Sequence, residues 1–145
     1  MINTSMMPTA VVQDFFQAIM DKDARRIMSF YLRSPDTYVI LEGPRLTTLG
    51  YDLIEKGWTA FVGSPIRLVS IHWEEGPFCE GNRGLSWVAG VIRLKVQVAG
   101  KDFEQVFRST FILCRKRGRW LIRHEHVSGA LQDPYGIGDW LKNSP

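Results

Sequence analysis

Residues 118–128 read GRWLIRHEHVS, a stretch in which aromatic and apolar side chains alternate with polar ones. A period of two residues is that of a β-strand, because successive side chains point to opposite faces. Two imidazoles on an otherwise apolar strand face predict that this face lines a cavity, with both histidines turned inward. The residues of that face would be Trp120, Ile122, His124, His126 and Ser128.

The preceding residues divide into a helical part and a strand part. Apolar residues recur every fourth position over residues 9–20, where Thr9 is expected to cap a first helix. A second helix would begin at Asp23 and end before Pro35, and a third would follow Gly50. This order predicts an α+β fold in which three N-terminal helices pack on a strongly curved antiparallel sheet. After a short β-rich run at 38–41, the predicted strands are 66–74, 85–98, 103–116 and 119–128.

Bulk composition restricts the class of protein. The chain has 145 residues, 45% hydrophobic and 23% charged, which is typical of a globular protein. No repeat or linker divides residues 1–145, so a single domain is expected. The apolar runs are too short for a membrane span, and the start lacks the pattern of a signal peptide. Because Cys79 and Cys114 form no CxxC pair, we expect a cytoplasmic protein with reduced thiols and no membrane partner.

The net charge of +3 has a local source, since Arg115, Lys116, Arg117 and Arg119 cluster around Gly118. Such a cluster can contact phosphate groups, but no aromatic side chains interleave with these cations. Charged residues also gather wherever a hairpin turn meets water. We therefore interpret the cluster as a solvated hairpin tip and expect no nucleic-acid partner.

The length of the turn in this hairpin determines which residues face the histidines. A two-residue turn at 117–118 would place Phe111 beside His124, but such turns favour Asn or Asp before the glycine. A three-residue loop at 116–118 requires less backbone strain and pairs Thr110 with His124 and Arg108 with His126. We predict the three-residue loop, and a slip of one residue would reverse every side chain.

Several short motifs, in this order, resemble SnoaL-like proteins of the nuclear transport factor 2-like superfamily. They are MDKDA at residues 20–24, the helix after Gly50-Tyr51 that includes Trp58, and the closing pair of motifs at 108–110 and 118–128. The SGA at residues 128–130 is also similar to the association domain of calcium/calmodulin-dependent kinases, which shares the fold. The resemblance extends to about residue 130.

This resemblance implies a cone-shaped roll of cystatin-like topology, with a bent sheet wrapped around a long helix, a pocket inside and a dimer formed through the sheet. It implies no single activity, because such proteins include isomerases, cyclases, dehydratases and assembly modules. Steroid isomerases of the superfamily use a tyrosine, a carboxylate base and a protonated acid. The position that matches the tyrosine lies near Phe15, that of the base near Ile40 or Leu41, and that of the acid near Thr110, and none of these residues has the required side chain. Glu42 could approach the cavity mouth, but its neighbours Gly43 and Pro44 are typical of a turn.

His124 and His126 are the candidate catalytic residues. At i and i+2 they lie about 7 Å apart along a strand, where they could bind a ligand or exchange protons near neutral pH. They could equally be structural, with their hydrogen bonds satisfied by Thr110, Ser128 or the backbone. A metal ion would need a third ligand, and His72 alternates away from the apolar side of its strand. We expect neither a metal site nor a cofactor.

Two arginines and several aromatic residues complete the predicted ligand-binding set. An arginine that reaches a half-apolar cavity would hold a carboxylate or carbonyl group through its forked donors, although either one could be a surface residue. Wide aromatic side chains would contact an aromatic ligand or simply pack the core. The predicted ligand-binding residues are Tyr38, Trp58, Trp87, Arg93, Arg108, Thr110, His124 and His126.

Residues 131–145 are expected to form a docked C-terminal extension, because Tyr135, Ile137, Trp140 and Leu141 are too apolar for a free tail. They would cover the cone mouth or a neighbouring subunit. The function predicted first is the binding of a small apolar or aromatic molecule in the cone pocket. An isomerase, cyclase or dehydratase that uses a pocket histidine as acid or base is the second hypothesis, so catalysis stays open. An assembly module with a filled cone is the third.

Overall fold

The computed structural model describes residues 7–139. The helices are α1 (Pro8–Met20), α2 (Ala24–Ser29) and α3 (Tyr51–Val62). The strands are β1 (Tyr38–Ile40), β2 (Thr48–Leu49), β3 (Ile66–Gly81), β4 (Leu85–Val98), β5 (Lys101–Lys116) and β6 (Arg119–Ser128). The predicted α+β architecture, with its helices ahead of a curved sheet, is confirmed.

All six strands form one sheet in the order β2-β1-β6-β5-β4-β3. Neighbouring strands are antiparallel except β1 and β6, which run parallel, so the sheet is mixed rather than purely antiparallel. The parallel pair could not be predicted from periodicity, because β1 has only three residues and lies far from β6 in sequence. It brings the chain between α2 and α3 against the last strand.

The long strand β3 bends at three register shifts against β4. These irregularities extend it to Gly81, beyond the predicted end at Glu74, since each bulge changes the alternation that marks a strand in the sequence. Gly90 on β4 permits the bend, because a Cβ atom there would lie 2.2 Å from the carbonyl oxygen of Glu75. The curved sheet can then wrap around the helices.

The core lies between α1 and the concave face of the sheet, and Phe15 is at its centre. Its ring makes edge-on contacts with Tyr31, Trp58 and Phe111, at centroid distances of 5.5, 6.0 and 5.9 Å. Such tilted aromatic pairs add attraction beyond the burial of apolar area. The helix begins at Pro8, whose missing N–H suits a first turn, and the residue before it provides no side-chain cap. The prediction that Thr9 caps this helix is therefore wrong.

The hairpin between β5 and β6 differs from the prediction. Lys116 pairs with Arg119 across a two-residue turn, in which Arg117 and Gly118 have φ angles of 52° and 77°. Both central residues thus have positive φ, as in a type I′ turn, even though an arginine fills the first position. The twist of this turn matches that of the flanking strands, and this match outweighs the strain at Arg117. The predicted three-residue loop is wrong.

A bulge after Ile122 then changes the pairing again. Leu113 pairs with Ile122, but Ile112 pairs with His124, so Arg123 is the additional residue on β6. The observed partner of His126 is Thr110, whereas Arg108 was predicted. The two-residue turn places Ile122 on the concave face opposite Leu113, and the bulge reverses the side chains that follow it.

The two histidines consequently lie on the convex face, away from the helices. Glu125 and Val127 are buried, at 2% and 5% exposure, while His124 is half-buried and His126 is exposed. The prediction that both imidazoles turn inward is wrong, because it assumed unbroken alternation from Trp120 onward. The bulge turns a glutamate toward the core instead.

Candidate ligand cavity

A cavity of about 630 Å³ opens between α3 and the concave face of the sheet. Helix α3 supplies one wall, because residues spaced by three and four positions share a helix face. The opposite wall consists of side chains from β1, β3, β4 and β5. The principal wall residues are Leu53, Ile54, Trp58 and Phe61 on α3 and Val39, Leu68, Leu94, Val96 and Phe107 on the strands.

The cavity has a buried apolar end and an exposed polar mouth. Val39, Ile54 and Leu94 form the buried end, with exposures of 1%, 3% and 6%. Arg45 and Lys56 also line the cavity, and both are exposed. Polarity therefore increases from the interior to the opening, which is the arrangement of a site for a small molecule with an apolar body.

Among residues 7–139, Glu42 is the single carboxylate that lines this cavity. It follows β1 and is an exposed residue, but protein atoms around its carboxyl group partly enclose that group on the cavity side. This enclosure replaces water with low-dielectric surroundings and raises the pKa of Glu42 from 4.5 to about 7. At neutral pH the group can therefore either give up or accept a proton.

A second carboxyl group lies behind the buried end of the cavity. Trp58 donates its indole N–H to the hydroxyl of Tyr31 at 3.0 Å, and Tyr31 donates its O–H to Oε1 of Glu125 at 2.5 Å. Burial raises the pKa of Glu125 to about 8, to which the charge of Glu42 also contributes, while the bond from Tyr31 acts in the opposite direction. Glu125 is accordingly protonated at neutral pH.

This hydrogen-bonded chain fixes the inner wall of the cavity. Val39 of β1 pairs with Glu125 of β6, and Val39 lines the cavity from the same strand pair. Trp58 belongs to both structures, since one part of its side chain lines the cavity and its N–H points to Tyr31. Burial also raises the pKa of Tyr31, so its hydroxyl stays a donor and Trp58 is held in one orientation.

The predicted ligand-binding residues do not converge in this cavity. Trp58 lines it, whereas Arg108, Thr110 and His126 line a more open groove of about 770 Å³ at the neighbouring end of the sheet. The guanidinium of Arg108 donates to the carbonyl of Gly129 at 2.7 Å, which ties it to the chain after β6. The cavity and the groove share the segment that contains Glu42.

The remaining predicted residues lie outside both sites. Nδ1 of His124 lies 2.8 Å from the carbonyl oxygen of Tyr38, and the rings of the two residues stack at 5.5 Å. Arg93 forms an ion pair with Glu74 at 2.8 Å on the sheet surface. Trp87 is 37% exposed on the convex face. For His124, these contacts agree with a structural role, which is one of the roles that the sequence analysis left open.

Glu125 was missed because the bulge could not be foreseen, and its carboxyl group between two imidazoles on an apolar strand was the available signal. Its partner Tyr31 lies just after α2, where an aromatic side chain is equally typical of ordinary core packing. Glu42 was considered for the cavity mouth and then interpreted as part of a turn.

The described part of the C-terminal segment, residues 131–139, does not bury its apolar side chains on the rest of the chain. Leu131 and Tyr135 are each 77% exposed, and Ile137 is 56% exposed. Leu131 borders the open groove. Trp140 and Leu141 lie outside the described residues, so the predicted docking of this segment stays a prediction.

Within residues 7–139, no group of three or more His, Cys, Asp or Glu side chains is arranged to hold a metal ion. Over the same range, no helix has the length and apolar character needed to cross a membrane.

A bent sheet around helices, with an apolar cavity between them, defines the cone-shaped class of small α+β proteins. The profile of the SnoaL-like domain matches residues 9–132, and the chain belongs to this family. No curated protein shows significant sequence similarity to the chain.

Solved structures show the same fold at low sequence identity. A nuclear transport factor 2-like superfamily protein from Salmonella enterica serovar Typhimurium is 17% identical, with a TM-score of 0.76, and the match covers 90% of this chain and 94% of that one. A ketosteroid isomerase-like protein from Erwinia carotovora atroseptica is 14% identical, with a TM-score of 0.70 and coverages of 83% and 91%. An uncharacterised protein with a cystatin-like fold from Caulobacter vibrioides is 19% identical, with a TM-score of 0.63 and coverages of 86% and 88%.

Proposed function

We propose that the protein binds a small apolar molecule in the cavity between α3 and the sheet. The observation that carries this proposal is a space of about 630 Å³ whose walls are mostly aliphatic and aromatic. Removing apolar ligand surface from water supplies the affinity, at about 25 cal/mol per Å². An open interior favours ligand binding over the filled cone of an assembly module.

Gly57 offers a direct test, because it lies on α3, lines the cavity, and has open space where a Cβ atom would be. Gly57→Phe would fill the cavity without removing any contact, and Gly57→Ala is the matched control. We expect the neutral fluorescent probe N-phenylnaphthylamine to bind the wild type and the alanine variant but not the phenylalanine variant. Equal binding to all three folded proteins would place the probe elsewhere and contradict the proposal.

A second candidate function is proton transfer on the bound molecule, and Glu42 is the observation that favours it. A carboxylate with a pKa of about 7 inside an apolar cavity is a stronger base than one in water. We propose Glu42 as the general acid or base in place of the histidines expected from the sequence. Its neighbours Trp58 and Phe107 would hold a flat substrate beside it.

Nitrobenzisoxazole tests this second function without knowledge of the natural substrate. A base removes its ring C–H proton, the N–O bond breaks, and the electron pair ends on a phenolate oxygen beside the new nitrile. We expect the wild-type rate to rise with pH through about 7, and Glu42→Gln to lower it about 10-fold or more. Glu55→Gln on the exposed side of α3 is the control, and an equal rate in both variants would eliminate Glu42 as the base.

We further propose a homodimer formed through the convex face of the sheet. Exposed apolar side chains there, among them Phe78, Trp87 and Val106, support a second copy as the partner. Ala89 lies among them and pairs with Phe78 and Thr110. Ala89→Arg should convert a dimer into a monomer in sedimentation experiments, while a wild type that already sediments as a monomer would contradict the interface.

Three further proposals concern the chain as a whole. Residues 1–145 form one domain, and residues 131–145 dock on a neighbouring subunit, for which the exposure of Leu131 and Tyr135 on the single chain is the support. The protein works in the cytoplasm, and the free cysteines Cys79 and Cys114 support a reducing location.

A further inference from the structure

The mouth of the cavity carries two positive charges from different elements. Arg45 lies in the loop between β1 and β2, and Lys56 lies on α3. Both side chains line the cavity, and both are exposed. They therefore approach the same opening from the two sides of the cone.

Neither cation is neutralised by a neighbouring carboxylate. Within residues 7–139, neither Arg45 nor Lys56 has a carboxylate oxygen within 4.0 Å, whereas Arg26 pairs with Asp21 and Arg93 pairs with Glu74 and Glu104. Glu42 shares the cavity lining, yet neither Arg45 nor Lys56 contributes to its pKa, which burial alone raises. Glu42 interacts electrostatically with the buried Glu125 and Tyr31 instead, and the two cations are left at the rim.

Arg45 also lines the open groove that contains Arg108 and His126. The cavity and the groove meet at Leu41, Glu42, Gly43, Arg45 and Phe107, so the loop that carries Arg45 separates them. A ligand that extends from the cavity must pass this arginine. Its guanidinium can offer a carboxylate two parallel hydrogen bonds.

We propose that the ligand is an amphipathic anion, with an aromatic or aliphatic body in the cavity and one anionic group held at the mouth by Arg45 and Lys56. This inference rests on the proposed function, because it assumes that the cavity is the binding site. A neutral ligand of the same shape would leave both cations in water, as they are in the free protein. The two charges select the acid over its neutral counterpart.

Two probes with the same aromatic body isolate the contribution of the charge. Anilinonaphthalene sulfonate and N-phenylnaphthylamine share their rings, but only the first carries an anionic group. We expect the double variant Arg45→Gln/Lys56→Gln to weaken binding of the sulfonate about fivefold and to change binding of the neutral probe less than about twofold. The control is Arg83→Gln, which removes one charge in the turn between β3 and β4, at the end of β4 opposite to the cavity residues Leu94 and Val96.

Each possible result has a separate meaning. A neutral probe that does not bind, or that still binds to Gly57→Phe, contradicts the proposed function itself. If the neutral probe behaves as proposed but the double variant weakens sulfonate binding no more than Arg83→Gln does, the anion site alone is overturned. Sulfonate binding that survives Gly57→Phe but is lost in the double variant would place the anion in the open groove and also overturn the proposal.

Discussion

Replacing Glu125 with glutamine should make the protein more stable at alkaline pH and leave it nearly unchanged at acid pH. The glutamine has the same shape and still accepts the hydrogen bond from Tyr31, but it cannot ionise. Wild-type Glu125 must either keep its proton or place a charge in the core, at 2% exposure. The glutamine variant stays neutral at every pH and never places a charge in the core.

The size of the effect follows from the pKa in the two states. Folding raises the pKa of Glu125 from 4.5 to about 8, so the folded protein holds a proton that the unfolded chain has released. Stability therefore falls as pH rises between these values, by about 1.4 kcal/mol for each pH unit. From about pH 5 to about pH 8, the loss amounts to about 4 kcal/mol, and the variant avoids it.

Urea denaturation followed by tryptophan fluorescence measures this difference. Wild type and Glu125→Gln are compared at several pH values, with the exposed Glu55→Gln as a control for removal of a surface charge. Glu42 titrates in all three proteins, so its contribution largely cancels when they are compared. If the wild-type and Glu125→Gln curves stay parallel from acid to alkaline pH, Glu125 does not hold a proton in the folded state and the account of the inner wall is wrong.

Three other substitutions test neighbouring parts of the account. Tyr31→Phe removes the donor to Glu125 and should lower stability by about 1–3 kcal/mol. Without that hydrogen bond the pKa of folded Glu125 rises further, so in denaturation experiments across pH the fall in stability should start at the same pH and extend to a higher pH than in the wild type. Gly57→Ala should raise the free energy of unfolding by about 0.5–1 kcal/mol, measured by thermal denaturation, because it restricts the unfolded chain and suits a helix. Binding of anilinonaphthalene sulfonate should weaken as pH rises through about 7, because Glu42 becomes negatively charged, and Glu42→Gln should flatten that dependence in a fluorescence titration. Arg45 and Lys56 are the charged residues that line the cavity with Glu42, and Glu125 is the other carboxyl group that interacts with it.

Periodicity was sufficient for most of the fold. The apolar positions of α1 and α3 recur with helical spacing, and β4, β5 and β6 keep their alternation for long enough to be recognised. The full extent of β3 and the pairing of β1 were not accessible in this way. A strand with repeated bulges loses its period of two, and a three-residue strand is too short to show one.

The sequence predicted a site residue only where the side chain can occupy few kinds of environment. Trp58 was recognised, since a large aromatic residue on the buried face of a helix must contact either the core or a cavity. Glu125 and the histidines were exchanged, because their faces depend on a bulge at Arg123 that neither composition nor spacing signals. The pKa of Glu42 depends on walls that come from several distant segments of the chain, and these segments meet only in the folded protein.

The bulge at Arg123 also has a consequence for how this chain is compared with its relatives. Pairing Arg123 regularly with Ile112 would restore unbroken alternation in β6, turn the imidazoles of His124 and His126 toward the helices, and expel Glu125 to the surface. Deleting Arg123 would instead leave Glu125 opposite Phe111, so the inward carboxyl group depends on one residue being excluded from the ladder. A sequence alignment that misplaces a gap in β6 by one position would align Glu125 with a position occupied by a histidine. Equivalent positions in this strand should therefore be assigned from backbone pairing.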